Sequence, residues 1–234
     1  MEQGAIIVKD LKKVYHIGKE KVIALNKINL EIPRGQICCI FGTSGSGKST
    51  LLNQLAGFEK PSMGQVILDG TNICELNEDK LAAFRQENVG FIFQAYNLLP
   101  TLTALENVGL PMQFKGIDKK ERQKQSMKML KQVGLQERYH HKPNQMSGGQ
   151  QQRVGIARAF AAKPKIIFAD EPTGNLDSKT TLEVMNTMVK MLRKNNQTLV
   201  LVTHDQELSH FADRIVTLMD GKIIKDDLNE SILK

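Results

Sequence analysis

Gly42-Thr43-Ser44-Gly45-Ser46-Gly47-Lys48-Ser49-Thr50 decides the reading of this chain. It fits G-x-x-x-x-G-K-[ST], the phosphate-binding loop. Gln36-Ile37-Cys38-Cys39-Ile40-Phe41 precedes it as a short apolar run, predicted to be a buried strand. Leu51-Leu52-Asn53-Gln54-Leu55-Ala56-Gly57 follows as a helix that stops at a glycine. The residue types match the chemistry of a nucleotide triphosphate. Glycines let backbone N–H groups approach crowded phosphate oxygens. The following helix points its positive dipole end at the same place. Lys48 can reach the terminal phosphates, and the Ser49 hydroxyl can ligate Mg2+.

Upstream, Ile6-Ile7-Val8 and the run Val22 to Ile32 read as antiparallel strands, with period two from Lys27 to Ile32. Tyr15 lies between them, and Pro33-Arg34-Gly35 makes the turn into the phosphate loop. Downstream, Pro61 to Gly64 is expected as a turn, Gln65 to Leu68 as a strand and Asp69-Gly70 as a tight turn. Asp79 to Gln86 reads as helix, and Val89 to Phe93 as a strand ending at Gln94. A loop with Pro100 and Thr103 leads into a helix that starts at Ala104. Asp118 and Glu121 resemble a capping box before a helix whose Met127, Leu130 and Val133 share a face. About Thr101 to Gln145 is therefore a helical lobe, and Ser147-Gly148-Gly149-Gln150 opens a further helix. Taken together, residues 101–160 are expected as a helical subdomain inserted into one domain spanning 1–234.

Two more apolar strands follow, Lys165 to Glu171 and Thr198 to Thr203. Between them Ser178 to Asn195 is a helix with Leu182, Met185, Met188, Val189 and Leu192 on one face. A hairpin across Asp220-Gly221 closes the chain. Strands alternating with helices predict an α/β fold with a mostly parallel core sheet. Ligands bind such sheets at the carboxyl ends of the strands, where Gln94, Asp170, Glu171 and His204 fall.

Composition narrows the class. At 234 residues with 41% hydrophobic content, the chain suits one large globular domain. No stretch approaches the roughly 20 apolar residues of a membrane span. The start, Met1-Glu2-Gln3-Gly4, lacks the features of a secretory leader, and three cysteines do not make a disulfide framework. A reducing cytosolic setting is expected. Part of the net charge of +7 sits at Lys119, Lys120, Arg122, Lys124, Lys128 and Lys131. This reads as a solvated helix face, with attraction to an acidic membrane surface as the alternative. Nucleic acid is not expected as a partner, because no aromatic residues interleave with these charges.

Four further groups carry chemistry. Asp170 suits a metal ligand and Glu171 the polarisation of an attacking water. His204 can contact a γ-phosphate, and the Gln94 amide oxygen can bind Mg2+ or a water. Ser147 is a good helix cap, yet two consecutive glycines behind it argue for close approach to the backbone. That helix tip is a second candidate anion site.

With these motifs in order, the chain resembles the nucleotide-binding subunits of ATP-binding cassette (ABC) transporters, from about Ile6 to Lys225. The signature is Met146-Ser147-Gly148-Gly149-Gln150, with Met146 where the family usually has leucine. Asn175-Leu176-Asp177 resembles the D-loop, and Tyr15 matches the aromatic that stacks on adenine. The resemblance implies a P-loop NTPase fold with an N-terminal antiparallel β subdomain and the helical insertion. It also implies an ATP-dependent homodimer in which Ser147, Gly148, Gly149 and Gln150 of one chain face the ATP on the other chain's Lys48. Asp170, Ser49 and Gln94 would hold Mg2+, while Glu171 and His204 would be catalytic. A membrane permease would dock near Gln94 to Thr103, placing the chain at the cytoplasmic face of the membrane.

Tyr96-Asn97-Leu98-Leu99-Pro100 and Pro172-Thr173-Gly174-Asn175 resemble the lipoprotein-release and macrolide-export (LolD/MacB/FtsE-like) cassettes. Export or mechanotransmission follows from that resemblance. The alternative is a cassette ATPase serving iron–sulfur assembly or cell-division regulation without transport. Only 53 positions separate Gln94 from Ser147, too few for the coiled-coil arm of the chromosome and repair members.

Overall fold

The computed structural model describes residues 4–229; Met1 to Gln3, read above for a leader, lie outside them. The chain forms two compact units. One runs up to Arg85 and resumes at Asn196; the other is Gln86–Asn195.

The first unit holds two sheets. In the smaller, β1 (Ile6–Ile17) pairs antiparallel with β2 (Glu20–Ile32) and with β4 (Met63–Leu68), which also pairs with β5 (Thr71–Asn72). The alternation expected from Lys27 onward is present: Ile28, Leu30 and Ile32 are buried while Asn29 and Glu31 are exposed. Two boundaries differ from expectation. The first strand is twelve residues long, so Tyr15 lies within β1, opposite Val22, and not between strands. Beyond Lys12 its polar second half pairs with β2 alone, which a search for apolar runs cannot detect. Met63 and Gly64, read as turn, begin β4, with Gly64 in a left-handed conformation (φ 90).

The larger sheet contains β3 (Ile37–Phe41), β8 (Thr198–Thr203), β9 (Arg214–Met219) and β10 (Lys222–Leu228). β3 lies parallel to both β8 and β9, and β10 closes antiparallel on β9. β3 is buried from Ile37 to Ile40 and β8 along its whole length, as two-sided burial of a parallel sheet requires. α1 (Lys48–Leu55) buries Leu51, Leu52 and Leu55, and Gly57 beyond its end takes φ 68. Burial pushes the Cys38 and Cys39 thiols up to about 12, so neither is a reactive thiolate at neutral pH. The short helix α7 (Gln206–Ser209), not expected from sequence, is capped by Asp205.

The unit boundary falls within α2 (Glu78–Asn88). The second unit pairs β6 (Val89–Ile92) with β7 (Ile166–Asp170) in parallel. Its helices are α3 (Ala104–Phe114), α4 (Lys119–Gln132), α5 (Gly148–Ala161) and α6 (Ser178–Asn195). Three readings are corrected here. On α6 the buried stripe is Thr181, Val184, Met185, Met188, Met191 and Leu192; Leu182 is exposed and Val189 only half-buried. On α4 Leu130 is buried but Met127 is exposed. Asp118 caps α4 through the Lys120 N–H, whereas Glu121 accepts from Gln125 and closes no capping box. The capping box lies one helix earlier, between Thr103 and Glu106. No described helix is long and apolar enough to cross a membrane.

Candidate functional site

The phosphate loop leaves β3 at Phe41 and enters α1 at Lys48. Gly47 caps α1 with φ 102 and, lacking a side chain, supplies no acceptor to the first-turn N–H groups. Uncapped first-turn donors of this kind can bind an external anion. Thr43, Ser44 and Gly45 are exposed, while Ser46 and Lys48 are buried. The Lys48 ammonium donates to the Thr43 carbonyl at 2.7 Å, which folds it back over its own loop. Ser49, the expected metal-side hydroxyl, is exposed on the first turn of α1.

Tyr15, half-buried in β1, donates its hydroxyl to Glu59 at 2.7 Å. Lys13 pairs with the same carboxylate at 3.1 Å and stands 5.1 Å from the Tyr15 ring centroid. Burial, then the Glu59 hydrogen bond, raises the Tyr15 hydroxyl above its ordinary value. That hydrogen bond and Lys13 hold Glu59 below the usual carboxylate range. The ring is therefore held in place, with a cation near it. His204 follows β8 and is exposed.

In the second unit Asp170 ends β7 and Glu171 follows with φ 42. A left-handed glutamate is uncommon and marks a backbone held by its surroundings. The Gly174 N–H donates to the Glu171 carbonyl at 3.1 Å, and Gln152 of α5 donates to the Pro172 carbonyl. Gln94 is exposed, and its carbonyl accepts from the Asn175 side chain at 3.1 Å. A Cβ on Gly174 would stand 2.8 Å from the Gln94 amide nitrogen. The loops after β6 and β7 are thus tied to each other.

Ser147 caps α5 in a reciprocal pair. Its hydroxyl accepts from the Gln150 N–H at 3.3 Å, and its own N–H donates to the Gln150 side chain at 3.1 Å. Gly148, Gly149, Asn175 and Asp177 line one cavity of about 460 Å3 with Ser147 and Gln150. Asp177 accepts from the Thr180 hydroxyl at 2.7 Å and the Thr180 N–H at 3.0 Å, which holds its carboxyl below the ordinary range. The signature and D-loop expected from sequence therefore share a cavity.

Two organising residues were missed. Asn107 of α3 is fully buried. Its side chain accepts from the Leu99 N–H at 2.8 Å and donates to the carbonyls of Leu99, Leu102 and Thr103. Arg158 of α5 donates to the carbonyls of Tyr96 (2.7 Å) and Asn97, two residues in succession at positive φ (60 and 47). Burial lowers its pKa. Together they shape the loop between Gln94 and Thr103. The one signal for them was local: a polar residue on an otherwise buried helix face needs internal partners.

Known proteins place these features in context. The family described as ABC transporter matches residues 25–174. An uncharacterized ABC transporter ATP-binding protein of Methanocaldococcus jannaschii, MJ1508, is 50% identical over 94% of this chain and 98% of its own. The lipoprotein-releasing system ATP-binding protein LolD of Geobacter metallireducens is 43% identical over 94% of this chain and 97% of its own. The macrolide export ATP-binding/permease protein MacB of Vibrio parahaemolyticus is 46% identical over the whole of this chain, which spans 36% of that protein. Among solved structures, the dimeric cassette MJ0796 bound to ADP and Pi superposes with a TM-score of 0.89. It is 44% identical and covers 95% of this chain and 98% of its own.

Proposed function

The chain belongs to the ABC transporter family of ATP-binding proteins and is an ATP hydrolase, and from that premise we propose that it is the nucleotide-binding subunit of a system with a separate membrane permease of the MacB or LolCE type. The whole chain acts as one nucleotide-binding domain. One observation carries the reading most directly. The chain presents two distinct anion-binding helix tips, an uncapped one behind Gly47 and a glycine-rich one at Ser147 that shares a cavity with Asp177. A single triphosphate gripped by the first tip of one copy and the second tip of another explains why both exist. The dimeric relative bound to ADP and Pi supports the same arrangement.

In this reading Gly42 to Thr50 cradle the phosphates and Tyr15 carries the adenine. Ser147, Gly148, Gly149 and Gln150 close on the γ-phosphate from the partner. The Ser49 hydroxyl of the first unit, and the Asp170 carboxylate and Gln94 amide oxygen of the second, are each oxygen donors of the kind Mg2+ takes; they would hold the ion, which would neutralise charge on the phosphates. Glu171 polarises the attacking water, and its left-handed backbone sets the direction of its side chain. His204 supports the γ-phosphate. The loop from Gln94 to Thr103, held from inside by Asn107 and Arg158, receives the permease, which brings the chain to the inner face of the membrane. ATP-driven pairing then moves the permease in export or mechanotransmission.

Glu171→Gln tests this. Without the acid, hydrolysis stops while closure remains possible, so the variant should elute as a dimer with saturating MgATP and as a monomer without it. Size-exclusion chromatography showing monomers in both conditions would count against the shared-nucleotide dimer.

A further inference from the structure

The β9–β10 turn lies far along the chain from the phosphate loop, yet it grips that loop. The Gly221 N–H donates to the Ser46 carbonyl at 3.0 Å, and the Asn26 N–H of β2 donates to the Gly221 carbonyl at 2.8 Å. Both turn residues are left-handed, Asp220 at φ 47 and Gly221 at φ 70, the pattern of a two-residue type I′ hairpin. A Cβ on Gly221 would stand 2.5 Å from the Ala24 carbonyl oxygen and 3.1 Å from the Leu25 Cα. Gly47 is wedged against the same strand, with 2.7 Å from its would-be Cβ to the Ala24 oxygen and 3.6 Å to the Gly221 Cα. Loop, strand and turn have no room to slide past one another.

This contact has a consequence for phosphate binding. In a trans peptide the C=O and the N–H point in opposite directions. The Ser46 carbonyl is fixed on Gly221, so the N–H of the same peptide, that of Gly47, is turned away from the hairpin. Gly47 caps α1, and its N–H joins the donors of the open helix tip. We propose that the β9–β10 turn is a positioning element for nucleotide binding: by holding the Ser46 carbonyl, Gly221 sets the direction of the Gly47 N–H and hence the affinity for the phosphates. Releasing the carbonyl lets the Ser46–Gly47 peptide rotate, and a rotated peptide offers phosphate an acceptor where a donor stood. Glycine at 221 is demanded twice, by its φ and by the Ala24 oxygen. The inference rests on the ATP-binding reading above.

The test uses the full chain and a fluorescent ADP analogue, with folding checked by circular dichroism. Gly221→Ala crowds the contact. A semisynthetic chain with an ester in place of the Asp220–Gly221 amide removes only the Gly221 N–H and adds no atom near Ala24. Gly116→Ala controls for backbone strain, since Gly116 has a matching φ of 72 and nothing near its would-be Cβ. The ester chain should bind the analogue about tenfold more weakly, as for one lost hydrogen bond, and Gly221→Ala at least as weakly. KM for ATP should rise in step while kcat stays within about twofold, the mark of lost binding and not of lost chemistry. Gly116→Ala should bind as the unmodified chain does. A folded ester chain that binds the analogue as tightly as the unmodified one overturns the proposal, whether or not Gly221→Ala folds. If Lys48→Ala also binds unchanged, the nucleotide reading fails with it; if Lys48→Ala alone loses binding, only the role of the turn falls.

Discussion

The two helix tips at Gly47 and Ser147 are both glycine-rich, and glycine serves each differently. At the tip of α1 the glycine is conformational: Gly47 takes φ 102, and the helix begins with no side-chain cap. At the tip of α5 neither Gly148 nor Gly149 has positive φ. There the requirement is space. A Cβ on Gly148 would meet the Tyr96 hydroxyl at 2.8 Å, and one on Gly149 would meet the Thr180 Cγ2 at 2.6 Å. The α5 tip is also closed by its own capping pair, Ser147 with Gln150. One tip has no side-chain cap; the other has its Gln150 N–H capped by Ser147 and its glycines packed against neighbouring side chains. The same residue type therefore carries two meanings, and only the surroundings tell them apart.

The largest test of this contrast is at the open tip. Lys48→Ala should lower steady-state phosphate release by about a hundredfold or more, the range for removing a preorganised charge from a phosphoryl-transfer site. An unchanged rate would mean that the α1 tip is not where phosphate binds.

A smaller effect separates packing from binding at the closed tip. Gly149→Ala should cost about 1–2 kcal/mol in a urea melt, because overpacking against Thr180 outweighs the helix-propensity gain. Thr180→Ser keeps the hydroxyl that bonds Asp177 and removes the crowding methyl. Combined with Gly149→Ala it should restore most of the stability. If ATP-dependent pairing stays lost in the restored protein, Gly149 is needed for phosphate as well as for space. Recovery of both would leave space as its whole role.

The smallest effect concerns Tyr15, proposed above to carry the adenine. The Tyr15 hydroxyl and Lys13 keep Glu59 below the usual carboxylate range. A depressed carboxyl pKa stabilises the fold fully above the unfolded value, about 4.3, and that stabilisation is lost as pH falls through the folded value. Tyr15→Phe removes the main cause of the depression. Its melting temperature should therefore fall less steeply than the unmodified protein's between about pH 5 and pH 3. Parallel curves would mean that Glu59 does not depend on Tyr15.

The open tip was legible because its chemistry is in the backbone. A strand, spaced glycines and a lysine are local features, and each must appear in sequence order. The alternation of β2, the apolar β3, β7 and β8, and the tight turns at Asp69-Gly70 and Asp220-Gly221 were legible for the same reason. The loop from Gln94 to Thr103 was not, because side chains from elsewhere hold it. Asn107 reads as one polar residue on an apolar helix, although it makes four hydrogen bonds to that loop. Nothing local in the sequence singles out Arg158, which is half-buried and donates to the carbonyls of two left-handed residues. The polar half of β1 was missed because backbone pairing with β2 carries it to Ile17, and hydrophobic period carries no record of that.

By itself the sequence determined the phosphate-loop motif, the strand–helix order and the residue types at both glycine-rich helix tips, since conformation and charge at those places are set by adjacent residues. Tertiary structure alone decided which groups those residues meet. The Ser46 carbonyl finds its donor in Gly221, and Gly149 finds its neighbour in Thr180, through chain crossings that no local pattern encodes. Hydrogen bonds and van der Waals contacts act over a few ångströms, and only folding brings residues that distant in sequence within that range.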